Sequence, residues 1–242
     1  MENTMNTTPM EQPRNNNQKL PVILVLDTSG SMEGDGIKDL NQGIDMLKSE
    51  ILNDPSLQSK IELGIVSFND TATVERAIDL VTVDTAMPLL TAGGLTNTLS
   101  GVNAAIADIA TRKHFYRTSG EQYYRPYIIL MTDGASSNSE EELVALRTTL
   151  QKGVDCKQYV FTSVAVGDAA DVAGLARMSP STTDKRLKRH VTVIKLKDTS
   201  SFHGFFSFLS SSIAAAAADR TGVAEGVLNP DVGQIHTFTL ND

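Results

Sequence analysis

The stretch Pro21-Val22-Ile23-Leu24-Val25-Leu26-Asp27-Thr28-Ser29-Gly30-Ser31 decides how the chain folds. Its first six residues are all apolar, which is typical of a strand buried on both faces of a sheet. The run then ends in a carboxylate followed by hydroxyl side chains. In an open α/β sheet, ligands bind beyond the carboxyl ends of the strands, so this junction is a candidate site.

Short apolar runs of the same kind recur along the chain and alternate with amphipathic segments. Further strands are predicted at 61–68, 71–78, 127–131, 159–166 and 191–196, and helices at 37–51, 97–111, 139–150, 168–177 and 202–218. The Asn69-Asp70 turn predicts that the second and third strands form a hairpin, with the third at a sheet edge. The polar segment 112–125 is predicted to be a surface excursion. Strands alternating with helices predict a doubly wound α/β fold with a mostly parallel sheet.

Composition limits the classes of protein that this chain can represent. It has 242 residues, a formal net charge of −8 and a single cysteine, Cys156. The acidic balance argues against binding to nucleic acid or to an anionic membrane, and one cysteine excludes an intramolecular disulfide. Without an apolar leader or a membrane span, we expect a cytoplasmic protein. We predict a disordered tail over 1–19, one domain over 20–218 and a C-terminal tail over 219–242, with a candidate extra strand at 235–240.

The sequence lacks the motifs of several common enzyme classes. No glycine-rich turn ends in Gly-Lys-Ser/Thr, and Gly30, Gly34 and Gly36 do not match the dinucleotide-binding spacing. The segment Gly134–Asn138 comes nearest to a nucleophile elbow but ends in asparagine. The histidines show no ligand spacing. These absences favour a binding protein over an enzyme.

Two predicted strand ends carry oxygen-bearing side chains suited to a metal ion. Asp27, Ser29 and Ser31 follow the first strand, and Asp133 follows the strand at 127–131. Carboxylates and hydroxyls without histidine or cysteine suit Mg²⁺, Mn²⁺ or Ca²⁺ rather than zinc. The alternative is structural: each residue alone could be a turn or helix-capping residue, as we expect for Asp168 and Asp171.

Three segments together resemble the metal-ion-dependent adhesion site of the von Willebrand factor A domain. They are Asp27-x-Ser29-x-Ser31, Thr96 in the loop after Gly93-Gly94, and Thr132-Asp133-Gly134. The resemblance implies a six-stranded sheet in the order 3-2-1-4-5-6, with strand 3 antiparallel at the edge and helices on both faces. It further implies that Ser29, Ser31 and Thr96 bind the metal directly and that Asp27 and Asp133 act mainly through bound water. Thr98 is the alternative to Thr96, because Leu95 separates Thr96 from the glycines.

The resemblance also implies a function, which is metal-dependent binding of another protein whose Asp or Glu completes the site. The segment Ala165–Val172 and the predicted helix from Phe202 resemble the bacterial tellurium-resistance branch of this family. That branch implies a role in stress response and a kinase or phosphatase as partner. The alternative function is a metal-dependent phosphohydrolase acting at the same residues. Because no general base is evident beside them, we expect a non-enzymatic protein.

Overall fold

The computed structural model describes residues 18–168, 170–181, 190–197, 201–202, 204–205 and 234–239, with the backbone alone at 190–192 and 234–239. Its strands are β1 (Leu20–Asp27), β2 (Ile61–Phe68), β3 (Ala72–Leu80), β4 (Tyr127–Thr132), β5 (Val160–Val166), β6 (His190–Leu196) and β7 (Gln234–Thr239). Its α-helices are α1 (Asp35–Asn53), α2 (Pro55–Gln58), α3 (Thr98–Ser119), α4 (Glu140–Asp155) and α5 (Val172–Met178), with a 3₁₀ turn at Gly30–Met32.

The strands form one sheet in the order β3-β2-β1-β4-β5-β6-β7. The pairs within β2-β1-β4-β5-β6 are all parallel, and β3 is antiparallel to β2 at one edge. The predicted α/β fold and strand order are therefore confirmed. The strand in the C-terminal segment pairs antiparallel with β6 and gives the sheet a seventh member.

Helices cover both faces of the sheet, which explains why β1 is apolar throughout. Alternate residues of β1 point to opposite faces. Val22, Leu24 and Leu26 belong to one core cluster with the apolar stripe of α1, whereas Ile23 and Val25 belong to a second cluster with residues of α3 and α4. All eight residues of β1 and of β2 are buried. The sheet thereby fixes the ends of β1, β2 and β4 beside one another.

The segment 112–125, predicted to be a surface excursion, does lie largely at the surface, but it is helical as far as Ser119 rather than irregular. Helix α3 continues to Ser119 and ends at Gly120, whose φ of 75° is a left-handed conformation suited to glycine. Tyr116 is only 1% exposed and donates a hydrogen bond to the buried carboxylate of Glu62, to which Arg112 also donates. Within this largely exposed segment, Tyr116 and Arg112 turn inward because both bind the Glu62 carboxylate.

Several sequence predictions fall wholly or partly outside the described residues. They are the disordered tail up to residue 17, most of the helix predicted over 202–218, and most of the C-terminal tail. Lys19, which the sequence places in the N-terminal tail, pairs with Tyr123. Phe202 and Phe205 are buried in the core. Within the described part of the chain, no helix combines the length and apolar character needed to cross a membrane.

Candidate metal centre

Asp27 lies at the carboxyl end of β1 and is 1% exposed. One carboxylate oxygen accepts a hydrogen bond from the Ser29 backbone N–H at 2.8 Å, and the other accepts one from the Thr132 hydroxyl at the end of β4. Burial raises the pKa of Asp27, while these hydrogen bonds oppose the rise. The neighbouring strand end therefore holds the carboxylate in a fixed orientation.

A chain of hydrogen bonds connects the loop after β1 to the loop after β4. The hydroxyls of Ser29 and Ser31 lie 3.0 Å apart, and the Ser31 hydroxyl donates to Oδ1 of Asp133 at 2.7 Å. Because the Ser31 hydroxyl donates its proton to Asp133, the Ser29 hydroxyl is the donor in the serine pair. Ser29 is buried and Ser31 is exposed, so the chain runs from the core to the surface. The structure thus brings four of the five predicted residues into continuous contact.

The hydroxyl of Thr96 lies beside Gly134, as does that of Ser31. A Cβ built on Gly134 would lie 3.6 Å from the Ser31 hydroxyl and 4.0 Å from the Thr96 hydroxyl, and no other atom would lie within 4 Å of it. Thr98, the alternative residue, begins α3, is 1% exposed and does not approach that position. The structure therefore places Thr96, rather than Thr98, next to the other predicted residues.

Helix capping does not account for these residues. The N-cap of α1 is Gly34, and the N-cap of α4 is Ser139, which forms a capping box with Glu142. Ser29 precedes the 3₁₀ turn, but its side chain makes no capping hydrogen bond. The capping interpretation holds only for Asp171, whose carboxylate accepts from the Gly174 N–H at the start of α5. Asp168 lies 3.9 Å from Lys195 instead.

Sequence reasoning missed the side chains that hold the three loops together. Asp70, predicted only as a turn residue, accepts a hydrogen bond from the Leu95 N–H, and the side chain of Asn138 donates to that of Asn97. The motif includes Thr132, but the sequence does not indicate that its hydroxyl donates to Asp27. These partners are far apart in the sequence, and no local pattern indicates such pairs.

The donor set fits a hard divalent cation. Its side chains supply hydroxyl and carboxylate oxygens only, and the two carboxylates match the charge of such an ion. The space beside Gly134 would be filled by any larger residue, so that position keeps two hydroxyls accessible to a ligand. Among the described residues, no group of three or more histidine, cysteine, aspartate or glutamate side chains offers another metal site.

Comparison with protein families agrees with this arrangement. The model of the von Willebrand factor type A domain matches residues 22–207, which is most of the chain. The chain belongs to this family. The matched segment contains all of the candidate metal residues and, apart from the first two residues of β1, every described element from β1 to β6. No protein of the curated collection matches the chain.

Solved structures with the same fold include a minor pilin, a mussel byssus protein and a pilus adhesin. The PilB minor pilin from Streptococcus sanguinis has a TM-score of 0.58 at 13% identity, and the match covers 84% of this chain and 63% of the pilin. Proximal thread matrix protein 1 from the mussel byssus, with a zinc-occupied MIDAS motif, has a TM-score of 0.53 at 16% identity over 81% of this chain and 46% of its own. The pilus adhesin SpaC from Lactobacillus rhamnosus GG has a TM-score of 0.58 at 14% identity over 81% of this chain and 31% of its own. At these identities the likeness establishes the fold alone.

Proposed function

We propose that this von Willebrand factor A (VWA) domain protein binds another protein through a divalent metal ion held by Asp27, Ser29, Ser31, Thr96 and Asp133. The observation that carries the proposal is the hydrogen-bonded chain through Asp27, Ser29, Ser31 and Asp133, together with the Ser31 and Thr96 hydroxyls that both lie beside Gly134. Membership of the VWA family and the MIDAS motif of one structural neighbour support it.

The five residues have two roles, which are direct binding of the ion and compensation of its charge. Ser29, Ser31 and Thr96 offer neutral hydroxyl oxygens as direct ligands, and Asp27 and Asp133 offset the charge of the ion. When bound, Mg²⁺, Mn²⁺ or Ca²⁺ supplies an electrophilic position that attracts a further oxygen ligand. Because the direct protein ligands are neutral, a carboxylate from an Asp or Glu of the partner is the ligand that best completes the site.

We propose that the protein is not an enzyme. The hydrogen bonds of Asp27, Ser31 and Asp133 in the described chain are to backbone, serine, threonine and aspartate groups, so none of them brings a histidine or lysine to the site as a general base. A phosphohydrolase at the same residues is the competing function. An assay for phosphatase and ATPase turnover with Mg²⁺ and Mn²⁺ decides between them, because turnover that is lost in Asp27→Ala would contradict a pure binding role.

Metal binding is tested most directly by thermal unfolding. Mg²⁺ or Mn²⁺ should raise the Tm of the wild-type protein, since a ligand bound only by the native state stabilises that state. Ser31→Ala should abolish the rise with little effect on the Tm in EDTA, because Ser31 is exposed and contacts only Ser29 and Asp133 in the described structure. Ser137→Ala, an exposed serine in the loop after β4, is the matched control and should keep the full response. An equal response in Ser31→Ala would disprove the site.

Partner binding is tested with the same pair of variants. Proteins captured from an extract of the source cells by the wild-type protein in Mg²⁺ should be lost in EDTA and lost with Ser31→Ala, but retained by Ser137→Ala. Replacing the key Asp or Glu of a captured partner with its amide should have the same effect as EDTA. Capture that is indifferent to EDTA and to Ser31→Ala would assign recognition to another surface.

The cellular setting remains a proposal that rests on the sequence. The segment 165–172 supports a role in bacterial stress response or tellurite resistance, a kinase or phosphatase partner, and a cytoplasmic location. The pilin and adhesin neighbours share the fold at an identity too low to transfer their location. Tellurite sensitivity of a deletion strain, restored by the wild-type gene but not by Ser31→Ala, tests this setting.

A further inference from the structure

We infer that Asp70, in the turn between β2 and β3, is a positioning residue that fixes Thr96 for metal binding without touching the metal. The inference rests on the proposed function and extends it to a residue outside the predicted ligand set. The three loops after β1, before α3 and after β4 carry the ligands, but this turn carries none. Its contacts are with the residues on either side of Thr96.

Three hydrogen bonds tie the turn to the Thr96 loop. Oδ1 of Asp70 accepts from the Leu95 N–H at 3.2 Å, and the Asp70 carbonyl accepts from the side-chain amide of Asn97 at 3.1 Å. The carbonyl of Asn69 accepts from the Asn97 N–H at 2.8 Å. Leu95 and Asn97 immediately flank Thr96, so the turn restrains the backbone before and after the proposed ligand.

Gly94 permits the close approach of the Asp70 carboxylate. A Cβ on Gly94 would lie 2.4 Å from Oδ2 of Asp70, and the φ of 82° at Gly94 is itself a conformation that favours glycine. The Gly94 carbonyl also accepts a hydrogen bond from the Gly30 N–H at 3.0 Å, which links this loop to the one that carries Ser29 and Ser31. The carboxylate therefore packs against the backbone that joins two of the ligand loops.

The loop after β4 holds Thr96 from the opposite side. The Ser137 N–H donates to the Thr96 carbonyl at 2.9 Å, and the side-chain amide of Asn138 donates to that of Asn97 at 3.1 Å. Thr96 is thus held between the Asp70 turn and the loop that carries Asp133. Removing the Asp70 carboxylate leaves the two carbonyl contacts to Asn97 but frees the Leu95 N–H, so the backbone that leads into Thr96 loses its restraint from the turn.

We expect Asp70→Ala to weaken Mn²⁺ binding by about tenfold or more, the typical effect of losing a group that orients a metal ligand. Asp70→Asn keeps an oxygen that accepts from the Leu95 N–H and should bind Mn²⁺ nearly as the wild type does. Asp84→Ala is the matched control, because it removes an exposed acidic residue from the connection between β3 and the same loop. It should leave Mn²⁺ affinity unchanged.

The experiment is calorimetric titration of the full chain with Mn²⁺, together with the Tm in EDTA and hydrogen exchange at the Leu95 amide. Faster exchange at Leu95 in Asp70→Ala, with wild-type exchange in Asp70→Asn, would report the contact independently of the metal. Asp70→Ser, which also suits a turn, gives a second route if Asp70→Ala proves unstable.

The outcomes separate this inference from the function on which it rests. If the wild type does not bind Mn²⁺, both are overturned. If the wild type binds and Asp70→Ala and Asp70→Ser bind equally well, only the role of Asp70 is overturned. If Asp70→Asn is as weak as Asp70→Ala, the negative charge of Asp70 acts on the cation and positioning is rejected.

Discussion

The ionised carboxylate of Asp27 suits metal binding, but its burial lowers the stability of the metal-free fold. Its pKa is raised by burial, despite hydrogen bonds from Thr132 and Ser29. The native state therefore binds the Asp27 proton more tightly than the unfolded chain does. The resulting stabilisation is complete below the ordinary carboxyl pKa and is lost as the pH rises through the raised one. Without metal, ionised Asp27 destabilises the fold.

Asp27→Asn should consequently be more stable than the wild type in EDTA at neutral pH. The amide can accept from the Ser29 N–H and donate to the Thr132 hydroxyl, which can itself turn toward the Gly134 carbonyl 3.3 Å away. The difference in Tm between variant and wild type should grow from acid to neutral pH. Saturating Mg²⁺ should reverse the order, because only the wild type gains. A Tm difference that does not change with pH would show that ionised Asp27 does not destabilise the metal-free fold.

At the scale of elements, the sequence predicts the central strands well because burial on both faces leaves an uninterrupted apolar run. β1 and β4 are of this kind, whereas β2 is equally buried but contains Glu62 and Ser67. The second half of α3 could not be predicted in the same way. Arg112 and Tyr116 are polar by type, yet they pack inward because the Glu62 carboxylate on β2 satisfies both. A buried ion pair joins residues that are 50 positions apart, and no periodicity reveals it.

Glu62→Ala should test how far this ion pair supports the fold. It removes the acceptor for Arg112, whose Nε and Nη2 lie 2.7 and 2.6 Å from the carboxylate, and leaves the exposed Asp79 as the acid paired with a nearly buried guanidinium. We expect a loss of about 3 kcal/mol in the free energy of unfolding, as for a broken buried pair. Urea denaturation measures it.

The same variant separates structure from function. Glu62 lies at the amino end of β2, and the metal loops lie at the other end of the sheet. The rise in Tm on adding Mg²⁺ should therefore survive in Glu62→Ala. A variant that lost the metal response as well as stability would show that the two ends of the sheet are coupled.

At the scale of the whole molecule, the residue pattern alone indicated the candidate site only at strand ends, and Thr96 was added by the resemblance to the VWA family. Asp27, Ser29, Ser31 and Asp133 directly follow β1 and β4, and parallel strands bring such ends together. The residues that hold Thr96 in place could not be found in this way. Asp70 and Asn97 are 27 positions apart, and Asn97 and Asn138 are 41 apart. Their pairing depends on the assembled sheet.

Charge is distributed unevenly between the two ends of the sheet. At the end of β1, in the loops after β1, β2 and β4, in the segment 93–97 before α3 and in the first turns of α1 and α4, the charged residues are mostly acidic: Asp27, Glu33, Asp35, Asp70, Asp133, Glu140, Glu141 and Glu142. The basic residue among them is Lys38, which lies 3.2 Å from Asp35. At the opposite end, the segment from the last turn of α3 to β4 carries Arg117 and Arg125 and one acidic residue, Glu121. Such a field concentrates cations at the metal end and repels an approaching carboxylate until the metal is bound.

The affinity for Mg²⁺ should therefore fall as KCl is raised, because salt screens the acidic loops. Glu33 is exposed and lies two positions after Ser31, so Glu33→Gln should weaken Mg²⁺ binding by roughly twofold at low salt and reduce the salt dependence. Glu121→Gln removes one charge at the far end of the sheet and should change neither quantity. Calorimetric titration at low and high KCl measures both. If the two variants have the same Mg²⁺ affinity and salt dependence, the ligands alone attract the ion. The acidic loops then act only on the partner, because they repel its carboxylate from a site that holds no metal.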